Sequence, residues 1–221
     1  SRGYHVVQTG SGDFVVAGIR MVGSNAGLWV VKLGPDGQVR WQQTYASSLL
    51  DQVGAIIETA DGGYVLTGGS ASPQSSPAWI LKLNSAGLKV WQRTLTRGYD
   101  YFADVIQLED GGLVVAGSTG PLDGGNANSD AWIIVLDSAG NVNSQKVFGL
   151  NGRYDIFEFS SIAETSDDGF LAAGSAGEFG CDVKPWLVKF DSNLNHLWQK
   201  TYAAEDCAHA GFVKEGHDGT Y

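Results

Sequence analysis

Short runs rich in β-branched and aromatic residues, four to a set and separated by Gly, Asp, Asn and Ser, return along the chain with their landmarks intact. The clearest copy spans Asp61 to Thr94. Around it, Val53–Thr59, Tyr64–Gly69, Ala78–Asn84 and Lys89–Leu95 read as strands, since Val, Ile, Trp and Thr suit a pleated surface. The turns Ala60-Asp61-Gly62-Gly63 and Asn84-Ser85-Ala86-Gly87 have hairpin chemistry, with glycine free to adopt φ > 0. Aligned after the first hairpin, the copies fall at Phe14, Tyr64, Leu113, Phe170 and Tyr221, a period of 49 to 57 residues. Four antiparallel strands at that period predict an all-β fold, a β-propeller of four-stranded blades with four complete repeats and the start of a fifth. The reading is one domain over 1–221, with repeats near 1–50, 51–99, 100–154 and 155–206 and a partial one at 207–221.

Tryptophan supports the period. Trp29, Trp79, Trp132 and Trp186 open the third strand, and Trp41, Trp91 and Trp198 lie 12 residues further on, in the fourth. An indole recurring at a fixed repeat position packs one blade against the next, and truncating one should cost about 3–5 kcal/mol. The third copy has Ser144 where the second indole is due, so that blade is expected to be the least tightly packed.

The phrases DGGYVLTGGS, AWILKLNSAGLKVWQRT and PWLVKFDSNLNHLWQKTY carry a resemblance. They are similar to the tandem DGGYxVAG and WLVKLDxxGxxxWxKT β-propeller repeats of secreted and cell-surface proteins of bacteria and archaea. That likeness covers essentially the whole chain and implies a scaffold. The Gly-x-x-x-Trp-x-x-Thr of the fourth strand also resembles, more faintly, the blade-docking tryptophan of quinoprotein and BamB-type propellers. The residues that hold the quinone there have no counterpart here, so that activity is not carried over.

Charge narrows the partners. With 14 basic and 24 acidic residues the net charge is −10, which argues against nucleic acid or an anionic membrane as a partner. No apolar run approaches the roughly 20 residues of a membrane-spanning helix. The chain opens at Ser1 without Met and stops as a fifth repeat enters its second strand, so it is expected to be processed or an excerpt of a longer chain. A further blade beyond it, or a blade shared by the two terminal segments, would then complete the fold.

Variation in length points to the binding side. From the glycine of the second strand to the tryptophan of the third, the spacing is 11, 11, 15 and 12 residues, whereas the hairpin between strands three and four keeps its length. Variable loops on one face are where repeat proteins bind. The longer links, Ser118–Asp130 and Phe148–Phe159, place a groove around the third and fourth repeats. Within the first, Asp123, Asn126, Asn128 and Asp130 set side-chain oxygens at alternate positions, as calcium loops do. The loop lacks EF-hand spacing and a terminal Glu, and an ordinary turn is the competing reading. Calcium is the one cofactor this suggests.

At the mouth of the first strand Asp51 and Asp100 are equivalent and Asp155 lies close to their column. Such carboxylates either cap the strand entrance through turn amides or serve as acid and base on a glycoside. Asp100, Tyr101, Tyr154, Asp155 and Phe157 form the candidate ligand-binding set, with the aromatics as stacking surface. His5, His196, His209 and His217 show no metal spacing. The resulting expectation is a non-enzymatic binding or assembly module that contacts a protein, surface glycan or filament partner through loops on one face. The alternative is a carbohydrate-active enzyme using Asp51, Asp100 and Asp155.

Cys181 and Cys207 sit on links expected to emerge on the same face of neighbouring blades. A bridge between them would close a 26-residue loop, contribute about 3 kcal/mol and fit an oxidising, extracytoplasmic compartment. Two unrelated thiols are the alternative. The bridged reading predicts that intact mass after alkylation is unchanged without reductant and rises by two alkyl groups after reduction.

Overall fold

The computed structural model describes residues 2–22, 25–45, 52–70, 76–120, 128–149, 155–178, 182–203, 208–216 and 218–221. Their elements are sixteen strands, and none of these residues is helical. β1 (Arg2–Gln8), β2 (Phe14–Val22), β3 (Asn25–Leu33) and β4 (Val39–Tyr45) pair in chain order as an antiparallel meander. β5 (Gln52–Glu58), β6 (Tyr64–Gly69), β7 (Ala78–Leu83) and β8 (Lys89–Leu95) repeat it. So do β9 (Tyr99–Gln107), β10 (Leu113–Gly120), β11 (Asp130–Leu136) and β12 (Val142–Phe148), tied to the second set by the pair Gly69–Tyr101 and the bridge Ser76–Tyr99. β13 (Asp155–Glu164), β14 (Phe170–Glu178), β15 (Lys184–Phe190) and β16 (His196–Thr201) make the fourth four-stranded sheet unit, the second and third units being joined edge to edge as one eight-stranded sheet. For the second repeat, the expected strand limits hold to within one residue.

All four first strands carry a β-bulge at one repeat position, skipping Tyr4 in β1, Gly54–Ala55 in β5, Ala103 in β9 and Ser160 in β13. A bulge bends its strand and raises the local twist. It also presses a carbonyl onto the second strand. A Cβ on Gly68, Gly117 or Gly174 would stand 1.9, 1.9 or 1.7 Å from the oxygen of Gln52, Tyr101 or Glu158. These glycines are therefore required by close approach rather than by turn geometry.

The faces of neighbouring sheets form the core. Val15, Ala17, Leu28 and Val30 of the first sheet pack on Tyr64, Leu66, Trp79, Leu81 and Leu83 of the second. Val65, Ala78 and Ile80 then meet Leu113, Val115, Trp132, Ile134 and Leu136. The pattern continues as Val114, Ala116, Ala131 and Ile133 meet Phe170, Ala172, Trp186, Val188 and Phe190. Leu171, Ala173 and Leu187 of the fourth sheet are covered by Ala210 and Val213 of the fifth repeat. Trp79, Trp132 and Trp186 are accordingly buried, while Trp29, in the face of the first sheet that no described sheet covers, is only half-buried.

The second indole column reaches across to the next sheet's far hairpin. Trp41 lies against Gly87 and donates from Nε1 to Ser85 O at 3.2 Å, Trp91 lies against Gly140, and Trp198 meets Tyr221 with ring centroids 6.3 Å apart. Ser144 breaks the column, and the glycine that its ring would cover is replaced too. Leu194 holds that position at φ 61°, 2 % exposed, within the core between the third and fourth sheets. The expected looseness of the third repeat is thus corrected: a leucine from the next sheet fills the space, at the cost of a left-handed backbone that a branched residue adopts reluctantly.

This pairing predicts strong non-additivity. Leu194→Gly should destabilise by about 2–4 kcal/mol through its cavity, and Ser144→Trp by about 1–3 kcal/mol through overpacking. The double variant, which restores the pair seen at Trp91 and Gly140, should recover at least about 2 kcal/mol relative to the sum, measured by denaturant unfolding.

Candidate functional site

The first strands β1, β5, β9 and β13 stand in sequence along the inner edge of the sheets, and their bulges re-aim the side chains there. Tyr4, Gln52, Val53 and Tyr101 line a cleft of about 350 Å³ at the ends from which these strands start. Tyr4 is half-exposed, and Tyr101 donates from its hydroxyl to Val53 O at 3.0 Å. Burial, aided by the nearby Tyr4, pushes the Tyr101 phenol above its ordinary range, so the group is a neutral hydrogen-bonding one at physiological pH. Two phenol rings, one amide and a valine present apolar faces with a few polar tips, the composition of an adaptable recognition surface.

Asp100 is inside the sheet joint. It is 2 % exposed, its Oδ2 accepts from Arg97 N at 2.6 Å and Gly98 N at 3.0 Å, and its Oδ1 accepts from Thr119 Oγ1 at 2.5 Å. Its own N–H donates to Ser76 O at 2.7 Å. This is the capping geometry, with the carboxylate oxygens committed to turn amides and a hydroxyl. Asp155 begins β13 and pairs with Glu178, so it stands two residues from the equivalent of Asp100. Phe157 occupies that equivalent place: its N–H donates to Ser129 O at 2.7 Å, as Asp100 does to Ser76. The half-buried Phe157 ring meets Trp186 edge-on at 5.3 Å. Asp155 thus lies close to the column of Asp100, as its spacing suggested, but not in it.

Asp51, Tyr154, Asp123, Asn126, Cys181 and Cys207 lie outside the described residues. Of the oxygen-bearing loop, Asn128 and Asp130 are described; Asp130 begins β11 and its carboxylate stands against Gly149. Among the described residues no group of three or more His, Cys, Asp and Glu is placed to hold a metal ion. No helix among them is long and apolar enough to cross a membrane.

Asp104 went unnoticed in the sequence. From β9 it accepts from Ser161 Oγ at 3.0 Å, Ile162 N at 2.9 Å and Val105 N at 2.9 Å, tying the third sheet to the fourth at the inner edge. Burial raises its pKa, against the pull of these bonds and of His5. A lone Asp in a strand gives no sequence signal; its role depends on which strand lies alongside. At the opposite ends of the same joint, Glu109, Asp110, Glu164 and Asp168 border a cleft of about 510 Å³. Glu164 is raised first by burial and then by the charges of Glu109, Asp168 and Asp110.

No family model matches the chain, and no curated protein matches it. A solved structure of a protein of unknown function from Bacteroides caccae is similar in fold, with a TM-score of 0.57 at 13% identity. The likeness covers 93% of this chain and 62% of that one, so this chain spans less than two thirds of its length. A Synechocystis apocarotenoid oxygenase mutant matches with a TM-score of 0.46 at 13% identity, over 87% of this chain and 47% of that one.

The far hairpin ends supply a pH-dependent part of stability. In the fourth sheet the buried Lys189 donates to Asp167 at 2.8 Å and Thr165 at 2.9 Å, and in the second Lys82 donates to Asp61 at 2.7 Å and Thr59 at 2.5 Å. The Lys189 bond, then that of Thr165, holds Asp167 down to about 2; for Asp61 burial pushes upward but the Lys82 and Thr59 bonds prevail, again to about 2. A depressed folded-state pKa stabilises above the unfolded value and is lost as pH falls through the folded one. Melting temperature should therefore drop between about pH 4 and pH 2. Lys189→Met, which imitates Val135 in the third sheet, should make that acid limb shallower; a parallel shift of the whole curve would contradict the assignment.

Proposed function

We propose that this protein is a β-propeller whose four sheets are blades around a common axis, and that it acts as a binding module. The partner is a peptide or glycan strand laid across the mouth where the first strands begin. Recurrent bulges, glycines nested under them and three successive sheet-face interfaces support the propeller reading. The cleft formed by Tyr4, Gln52, Val53 and Tyr101 carries the binding reading, because it offers aromatic faces and an amide on three neighbouring strands. An extracytoplasmic setting fits the repeat family that the sequence resembles and the acidic surface. The hydrolytic alternative is disfavoured by Asp100, whose oxygens already accept three hydrogen bonds.

Immobilised glycans and peptides probed with the purified chain test this. Tyr4→Ala and Gln52→Ala should each weaken the strongest interaction at least tenfold, about 1.4 kcal/mol, without lowering the melting temperature appreciably. Binding indifferent to both substitutions would overturn the site, and turnover of a bound glycan would restore the enzymatic alternative.

A further inference from the structure

The joint between the third and fourth sheets holds a second cleft, at its outer rim, that the axial mouth does not explain. Phe148, Gly149, Phe157, Trp186, His196 and Gln199 border a space of about 320 Å³, within the roughly 300–1,000 Å³ range of small-ligand pockets. The corresponding position one joint earlier is built differently. There Asp100 draws the link onto Thr119, and the Arg97 guanidinium lies 5.7 Å from the centre of the Trp132 ring. In the later joint the backbone bond is preserved, from Phe157 N to Ser129 O at 2.7 Å, but the carboxylate is exchanged for a phenyl ring.

The walls of the cleft have a definite chemistry. Phe157 and Trp186 meet at 74°, and Trp186 is fixed from behind by Phe159, stacked at 5.1 Å and 10°. Its Nε1 donates to Gln199 Oε1 at 3.1 Å, which anchors the carboxamide of this exposed side chain by its oxygen and commits its donor nitrogen to no part of the indole. His196 and Gln199 are exposed, so their polar groups are available at the rim.

We propose that this rim cleft binds the ring of a neutral pyranose. The apolar C–H face of the sugar rests on Phe157 and Phe148, while its hydroxyls take the Gln199 N–H groups and the His196 imidazole. A pyranose satisfies both walls together. A phenylalanine side chain would cover the rings but offer the Gln199 amide no acceptor, and a tyrosine would offer one hydroxyl where a pyranose offers several. A net charge of −10 disfavours anionic sugars.

The test titrates the 221-residue chain with the methyl glycosides of glucose, galactose, mannose and N-acetylglucosamine, following the Trp186 indole N–H by NMR. At least one glycoside should shift that signal saturably. Phe157→Asp, which reinstates the residue of the preceding repeat, should weaken binding at least tenfold. His196→Ala, an exposed change that leaves the core intact, should weaken it several-fold, while Tyr4→Ala should leave it unchanged. Silence of the Trp186 signal with all four sugars, or binding that survives both rim substitutions, would overturn the proposal. Displacement of the signal by phenol but by no glycoside would assign the cleft to an aromatic side chain and equally overturn it. Because the axial reading rests on Tyr4 and Gln52, failure here leaves that reading standing, and its failure leaves this one.

Discussion

Each sheet can bury one of its faces only by lying on its neighbour, and the structure is organised by that need. Trp79, Trp132 and Trp186 stand where the face of one sheet meets that of the sheet before it, shielded almost fully from water. Hydrophobic burial is non-directional, so it does not by itself select this stacking. The bulge in every first strand does, with Gly68, Gly117 and Gly174 beneath three of them, because it brings first and second strands closer than any side chain allows and raises the local twist at the same repeat position.

Once the stacking is imposed, individual joints tolerate exchange if volume is conserved. Trp41 with Gly87 and Trp91 with Gly140 put the bulk on the fourth strand, whereas Ser144 with Leu194 puts it on the opposing hairpin. A buried cation is similarly exchangeable. Lys82 and Lys189 hold the hairpin Asp and Thr of their sheets, but the third sheet has Val135 and Leu108 in place of the lysine and threonine, an apolar substitute of the kind that often replaces a buried ion pair without loss.

The joint between the third and fourth sheets gathers the departures from the repeat. It has Ser144 for Trp, Val135 for Lys, Phe157 in the place of Asp100, four carboxylates around one cleft and aromatic rings around another. Its stability comes from Asp104 at the inner edge, from the Phe159, Trp186 and Phe190 cluster, and from Lys146 Nζ, which donates to Leu194 O at 2.7 Å. A joint held by such interior contacts can vary at its surface, where recognition is least costly to change.

What the chain determined alone was everything local or periodic. Strand limits, hairpin glycines, the number of repeats and the indole columns follow from side-chain alternation and turn chemistry, which neighbours in sequence settle between themselves. One of the clefts, bordered by Phe148, Gly149 and Phe157, also falls beside the longer links from which a groove was expected around the third and fourth repeats. Tertiary structure alone decided which polar groups are spent and which remain free. Whether Asp100 is a cap, whether Asp104 is a tie between sheets, and whether Phe157 or Asp155 stands in the Asp100 position all depend on register across strands and on residues about 50 positions away. A carboxylate has the same identity in the sequence whether its oxygens meet amides or water, and only the packing of one sheet on the next chooses between them.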